Sequence, residues 1–316
     1  MQRYLLLMFA GILTFLIMNP PVCAQEVGHY VPGVANIRDF AVPPPGFYYE
    51  QFNVYYGSDT FKNRNGRSLD SVTIGNRTIE LDIDVDIFAI VPTLIWVSPF
   101  KLLGADYAAY IAPPLGSTSV GAALNAREFG REVDDSQFGI GDLFVQPLWL
   151  GWHGERFDVS LGYGVYAPTG KYDAGDRDNI GLGFWTNQFQ LSGLFYVDKL
   201  KATAIMLAVT YEIHSNKDGV DITPGDSVSF EWGISQYLSE RLEVGVAGYS
   251  TWQVENDSGS DVVFRGVKDQ VHAAGGQISY WPLKEKLNIA IRHLREFEAH
   301  ARFQGSLTTL TLTYIF

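Results

Sequence analysis

Residues Ile79-Glu80-Leu81-Asp82-Ile83-Asp84-Val85-Asp86-Ile87 alternate between apolar and acidic without a slip. Successive side chains of a β-strand point to opposite faces. Ile79, Leu81, Ile83, Val85 and Ile87 therefore share one face, and Glu80, Asp82, Asp84 and Asp86 share the other. On that second face neighbouring carboxylates stand roughly 7 Å apart. A helix of the same order would scatter charge around its whole circumference and bury nothing. Two settings accept such a strand. One is a soluble sheet with a wet face, the other a membrane barrel with lipid outside and a polar lumen inside.

The remainder of the chain favours the barrel. The first 24 of the 316 residues read as a cleaved secretory signal. Arg3 is its positive end, Leu5 to Met18 its apolar stretch, Asn19-Pro20-Pro21 its break, and Val22-Cys23-Ala24 a small-residue cleavage site. Cys23 is the only cysteine, so the mature chain has no disulfide framework, thiolate metal site or cysteine nucleophile. The signal carries one positive charge and no acid, so its removal takes the net charge from −12 to −13. Nucleic acid is a poor partner for so acidic a surface. No later segment offers the roughly 18 continuous apolar residues of a helical membrane span. The chain is instead rich in the Tyr, Phe, Trp and Gly of strand proteins.

Alternation and turn residues predict twelve strands, near 47–56, 79–96, 102–112, 139–151, 157–166, 186–197, 203–213, 227–237, 242–252, 269–281, 286–296 and 306–316. Short turns and long polar loops follow them in alternation, as in a porin-type barrel with its turns on the periplasmic side. The expectation is all-β: one antiparallel transmembrane barrel over 46–316. Residues 25–45 form either a periplasmic lead-in or a small plug entering the barrel. Residues 113–138 read as a long loop. The strand near 47–56 has two registers, one turning Glu50 to lipid and the other Gln51 and Asn53. Phe316 ends the chain on an aromatic residue, as many outer-membrane barrels do, which makes the assembly machinery an expected partner of the last strand.

Several motifs are familiar in combination. They are Val31-Pro32-Gly33, Pro43-Pro44-Pro45-Gly46-Phe47-Tyr48 and Asn53-Val54-Tyr55-Tyr56, then Gly139-Ile140-Gly141-Asp142-Leu143 with Pro147-Leu148-Trp149-Leu150-Gly151-Trp152. Tyr166-Ala167-Pro168-Thr169-Gly170-Lys171-Tyr172-Asp173 and Asn179-Ile180-Gly181-Leu182-Gly183-Phe184-Trp185-Thr186 follow, then Gly245-Val246-Ala247-Gly248-Tyr249 and Asp257-Ser258-Gly259. Together they resemble the transporters of the meta-pathway of phenol degradation, a family of outer-membrane barrels, from about residue 30 to the C-terminus. The resemblance implies passage of aromatic or other hydrophobic compounds across the outer membrane. Val220-Asp221-Ile222-Thr223-Pro224-Gly225 departs from the family pattern, so that loop is expected to differ in what it contacts.

The acidic face of 79–87 is the first candidate for a lumen wall that favours cations, through Glu80, Asp82, Asp84 and Asp86. Asp142, Asp158, Glu212, Glu231 and Glu243 add to that lumen, with Arg292 as a counter-charge. The plainer reading of the same residues is that any water-filled lumen must be polar. Arg77, Asp173, Asp176, Asp178 and Asp257, in or beside outer loops, suit binding of divalent cations, contact with lipopolysaccharide, or ordinary turns. For a barrel hydrolase, His272 and Ser279 have opposite strand parity and face opposite sides, and no Gly-x-Ser-x-Gly elbow exists. No cofactor motif is present. The reading is a passive outer-membrane channel for small hydrophobic or aromatic compounds, with lipid and lipopolysaccharide around it. A structural or adhesive barrel without transport is the alternative.

Overall fold

The computed structural model describes residues 27–74, 77–125, 131–174, 179–262 and 265–316, with side chains also undescribed at 72–83 and 118–137. The expected signal peptide, Asp176 and Asp178 lie outside the described residues, as do the side chains of Arg77, Glu80 and Asp82. Every regular element among the described residues is a strand. In chain order these are β1 (Gly46–Ser58), β2 (Ser71–Ile74), β3 (Arg77–Leu102), β4 (Ala105–Ala112), β5 (Leu115–Asn125), β6 (Arg131–Ile140), β7 (Leu143–His153) and β8 (Phe157–Ala167). Then come β9 (Thr186–Tyr196), β10 (Thr203–His214), β11 (Ser227–Tyr237), β12 (Leu242–Gln253), β13 (Gln270–Leu283), β14 (Leu287–His300) and β15 (Ser306–Ile315).

Each strand pairs antiparallel with its sequence neighbour from β7 to β15, and β1 closes the ring by pairing both β15 and β3. β4 and β5 form one wall strand interrupted at Pro113-Pro114, because proline cannot donate to the ladder. β6 and β7 form another, interrupted at Gly141-Asp142. Counted this way the barrel has the twelve strands that alternation predicts. The expected loop 113–138 is a correction. Its ends are β5 and β6, which pair with each other and, through β5, with the first half of β3. This 26-residue β3 exceeds the about 9–11 residues of a membrane crossing, so a ribbon of β3, β5 and β6 stands beyond the bilayer.

The wall is oily outside and mixed inside. Leu94, Leu191, Leu207, Val246 and Ile291 are exposed to lipid. Their strand neighbours Thr93, Ser192, Ala208, Ala247 and Arg292 are buried in the barrel. β1 takes the register that places Glu50 inside, beside Thr313, and turns Gln51 and Asn53 outward. Burying an amide in hydrocarbon is costly unless it is hydrogen-bonded. A ladder meets that cost in part: Tyr49 Oη donates to Gln51 Oε1 (2.9 Å), Gln51 Nε2 to Asn53 Oδ1 (2.9 Å), and Asn53 Nδ2 to the Leu310 carbonyl (3.1 Å).

Residues 27–45 run down the inside of the barrel. They start near His214, at the outer end of β10, and reach the turn between β9 and β10 at Arg38. From there they cross the periplasmic floor into β1. Ile37 is 0 % exposed and sits at the centre of the larger apolar cluster, with Leu194, Met206, Tyr249 and Leu294. Its hydrogen bonds run to inward-facing wall residues, among them Glu212, Glu231 and Arg292.

Candidate functional site

The N-terminal segment is held by the groups that line the lumen. The backbone N–H of Tyr30 donates to Glu212 Oε1 (2.8 Å), and that of Gly33 to Glu231 Oε2 (2.8 Å). The Tyr30 hydroxyl binds the other Glu231 oxygen. Arg38 pairs with Glu243 and donates to the carbonyls of Lys201 and Ala202, each at 3.0 Å. Arg292 donates to Gln277 Oε1 and to the carbonyl of Gly33 (3.4 Å), while Gln277 accepts the Ile37 N–H at 3.2 Å. The hydroxyls of Ser160 and Ser192 lie 2.8 and 2.9 Å from the Phe40 carbonyl. Buried charges need such partners, and here backbone amides and a guanidinium supply them.

Two glycines let Ile37 approach the wall. A Cβ on Gly233 would stand 2.7 Å from Ile37 Cγ1, and one on Gly245 would stand 2.6 Å from Ile37 Cδ1. The second glycine belongs to the motif Gly245-Val246-Ala247-Gly248-Tyr249.

Other motifs converge on Asp142. Its carboxylate accepts from the backbone N–H of Gly170 (2.8 Å), the N–H of Leu182 (2.7 Å) and Nε2 of His29 (3.0 Å). Gly170 and Gly181 touch so closely that a side chain on either would collide with the other. The carboxylate therefore ties the loop between β8 and β9 to the N-terminal segment. Asp158 is likewise in the lumen, near its floor, and accepts from Tyr196 Oη (2.5 Å), His153 Nδ1 (2.9 Å) and Lys201 Nζ (3.2 Å).

The expected lumen residues thus divide. Asp142, Asp158, Glu212, Glu231, Glu243 and Arg292 are buried inside, each already engaged. Asp84 and Asp86 are a correction: they are exposed on the outer face, and Val85 between them is buried. Register gives the reason. Tyr56 pairs with Ile87, and its hydroxyl reaches Glu296 in the lumen at 2.9 Å, so Ile87 faces inward and Asp86 outward. Outside, Tyr55 Oη donates to Asp86 Oδ1 at 2.5 Å. Glu80 and Asp82 belong to the same acidic series, but their side chains are not described. The lumen face of β3 is the oily one: Ile87, Ala89 and Val91 are half-buried there, beside Phe52 of β1.

Sequence reasoning missed a series of rings. Trp149 and Tyr110 have centroids 5.8 Å apart, Tyr110 and Phe144 5.6 Å, and Phe144 and Tyr166 4.3 Å. Tyr166 stacks on His29 at 4.7 Å, His29 meets Phe184 edge-on at 4.8 Å, and Phe184 meets His214 at 5.3 Å. The series runs from the outer rim of the lumen to the cluster of Val42, Tyr48 and Ile95 near its floor. Its members come from six separated stretches, which alternation cannot connect.

His272 and Ser279 sit on opposite sides of β13, His272 bonding Ser250 (2.8 Å) on the outer face and Ser279 bonding Asn288 inside. The divergent loop at 220–225 contacts the loop between β12 and β13. Thr223 bridges Ser258, the Ser260 N–H donates to Asp221 (2.8 Å), and the Gly225 N–H donates to Asp257 (2.9 Å). Backbone and side-chain bonds from Ser260 hold the Asp221 carboxyl below its ordinary range.

Comparison with known proteins agrees with this architecture. The fold is similar to the crystal structure of an outer-membrane channel from Pseudomonas putida F1, with TM-score 0.69 and 12% identity over 89% of this chain and 100% of that one. Weaker likenesses include the translocator domain of the autotransporter NalP from Neisseria meningitidis (TM-score 0.48, 13% identity, 89% and 92% covered). The CymD monoaromatic hydrocarbon channel is another (TM-score 0.42, 8% identity, 86% and 89% covered). No curated protein matches in sequence. The family profile described as "Putative MetA-pathway of phenol degradation" matches residues 58–312, and the chain belongs to that family.

Proposed function

We propose that this barrel is a passive channel through which small hydrophobic or aromatic compounds cross the outer membrane. The observation that carries the reading is the division of the lumen. Glu212, Glu231, Glu243 and Arg292 are engaged by the N-terminal segment, while the inner face of β3 keeps Ile87, Ala89 and Val91 half-buried beside Phe52. A passage of this kind favours solutes that gain by leaving water and opposes bare ions, which lose hydration without finding partners. The family's link to phenol degradation supports an aromatic cargo. Export through a cleaved leader and contact with lipopolysaccharide belong to the same reading. So does insertion by the barrel-assembly machinery at the last strand, where Phe316 stays exposed beside β1.

The test is uptake into proteoliposomes holding the full mature chain. Radiolabelled toluene should enter down its gradient with no energy source, at least about tenfold faster than into protein-free vesicles, while erythritol should enter both at the same rate. Equal entry of both, or of neither, contradicts the proposal.

A further inference from the structure

The lipid-facing side of the wall is not smooth. On β13 the outward positions pass from Ala274 to Gly276 and then to Ile278 and Tyr280. Gly276 pairs with Val246 on one side and His293 on the other, and puts no side chain between them. The result is a groove of about 620 Å³ over Gly276. Its walls are Val244 of β12, Ile278 and Tyr280 of β13, and Ile289 and Ile291 of β14, with His293 at its upper end. It opens outward, because Ile278, Tyr280, Ile291 and His293 are all exposed. A Cβ on Gly276 would meet only the Gly245 carbonyl, at 3.7 Å. The groove therefore follows from a missing side chain, in a place where the backbone would accept one.

Above the groove the wall turns basic. Arg295 pairs with Ala274 and Ser306, one outward position up β14 from His293. It is exposed, and among the described residues no acid pairs with it and no acceptor takes its N–H groups. His293 Nδ1 bonds Thr308 Oγ1 (2.8 Å), and its Nε2 has no partner among the described residues. Glu298, further up the strand, is taken by His300 at 3.3 Å. An unpaired guanidinium on the lipid side of a membrane wall is costly unless an anion meets it.

Depth selects that anion. Arg295 lies eight residues past Leu287, where β14 leaves its periplasmic turn. At about 3.3 Å per residue and a tilt of about 40°, that is roughly 20 Å up an apolar band about 25 Å tall. Phe297, two residues on, is exposed at the level of the outer aromatic girdle. The guanidinium thus stands at the headgroup level of the outer leaflet, and the groove runs below it among the acyl chains. Phosphate accepts paired hydrogen bonds from a guanidinium, and an acyl chain suits an apolar groove.

We propose that this groove is a binding site for lipid A, the membrane end of lipopolysaccharide. One phosphate pairs with Arg295 beside His293, and one acyl chain lies over Gly276 between Ile278 and Ile291. The proposal rests on the lipopolysaccharide contact in the reading above, not on passage of any solute, and it gives that contact a place on the wall.

The test is native mass spectrometry of the full mature chain in detergent micelles. The chain is titrated with bisphosphorylated lipid A, with the same lipid stripped of phosphate, and with phosphatidylglycerol. Wild type should hold lipid A at least about fivefold more tightly than either of the others. Arg295→Gln should weaken phosphorylated lipid A about fivefold to tenfold and leave the stripped lipid unchanged. Gly276→Leu fills the groove and should weaken both forms about threefold or more. Lys199→Gln removes a positive charge at the turn between β9 and β10 and should match wild type. Heat-modifiable gel mobility reports folding, and if Gly276→Leu fails it, Arg295→Gln decides. Equal retention of phosphatidylglycerol, or an Arg295→Gln chain that keeps its preference for phosphate, overturns the site. If wild type holds no lipid A, the lipopolysaccharide contact falls with it. Toluene uptake by Arg295→Gln should equal that of wild type, so the channel reading is judged separately.

Discussion

Tyr55 donates its hydroxyl hydrogen to Asp86 at 2.5 Å on the outside of the barrel, while Tyr56, the next residue, reaches Glu296 inside it. That pair of neighbours decides which way the acidic series faces. It follows that neutralising Asp84 and Asp86 together to asparagine should leave the reversal potential in a salt gradient across a planar bilayer unchanged. A shift towards anions after that change would put these acids on the permeation path.

The close approach of Ile37 to the wall predicts a steric effect. Gly245→Val would place a branched side chain where Ile37 Cδ1 lies and should displace the segment from its seat. Overpacking of this kind costs about 1–3 kcal/mol. The measurement is the rate of protease cleavage within residues 27–45, which should rise against wild type while the barrel itself stays resistant.

Among the described residues Arg292 is the largest fully buried side chain, facing Gly33 and Glu231. Replacing it by methionine keeps volume and removes the positive charge from beside Glu231. Breaking a buried charge group this way costs about 3–5 kcal/mol. Arg292→Met should lower the unfolding midpoint in urea, and Arg292→Met with Glu231→Gln should recover part of the loss. No recovery in the double variant would mean that packing, not charge, sets the cost.

At the outer rim, Asp221 titrates below the ordinary carboxylate range because Ser260 bonds its charged form. A depressed folded value means that the bond's contribution is present above the unfolded value of about 3.9 and is lost as pH falls through the lower folded one. Hydrogen exchange at the Ser260 amide should therefore stay slow at neutral pH, relative to its intrinsic rate, and lose protection in acid. Asp221→Asn should remove most of that pH dependence.

Much of the wall was legible because alternation marks strands wherever one face meets lipid. β8 to β15 carry their apolar residues outward as the pattern implies. The stretch 79–87 has the cleanest alternation in the chain, yet the opposite facing. Alternation separates two faces but does not name the inner one, and this stretch rises towards the ribbon beyond the bilayer, where acids can face outward at no cost in hydrocarbon. β5 and β6 escaped notice because Gly116-Ser117-Thr118-Ser119 and its neighbours carry too little apolar contrast. The seat of residues 27–45 was open in the sequence, since its bonds join Tyr30, Gly33 and Arg38 to wall residues some two hundred positions away. Motif glycines at 170, 181 and 245 could be recognised beforehand, but their purpose, letting backbone approach a carboxylate or Ile37, needed the fold.

The central claim is that the N-terminal segment lies in the lumen and engages Glu212, Glu231, Glu243 and Arg292, leaving the passage along the oily inner face of β3. Single-channel recording of the chain with and without residues 27–41 tests it most directly. The intact chain should pass little ionic current and show weak selectivity. The shortened chain should pass a larger, cation-selective current as Glu212, Glu231 and Glu243 are bared. A large cation current through the intact chain, unchanged by the deletion, would contradict the account.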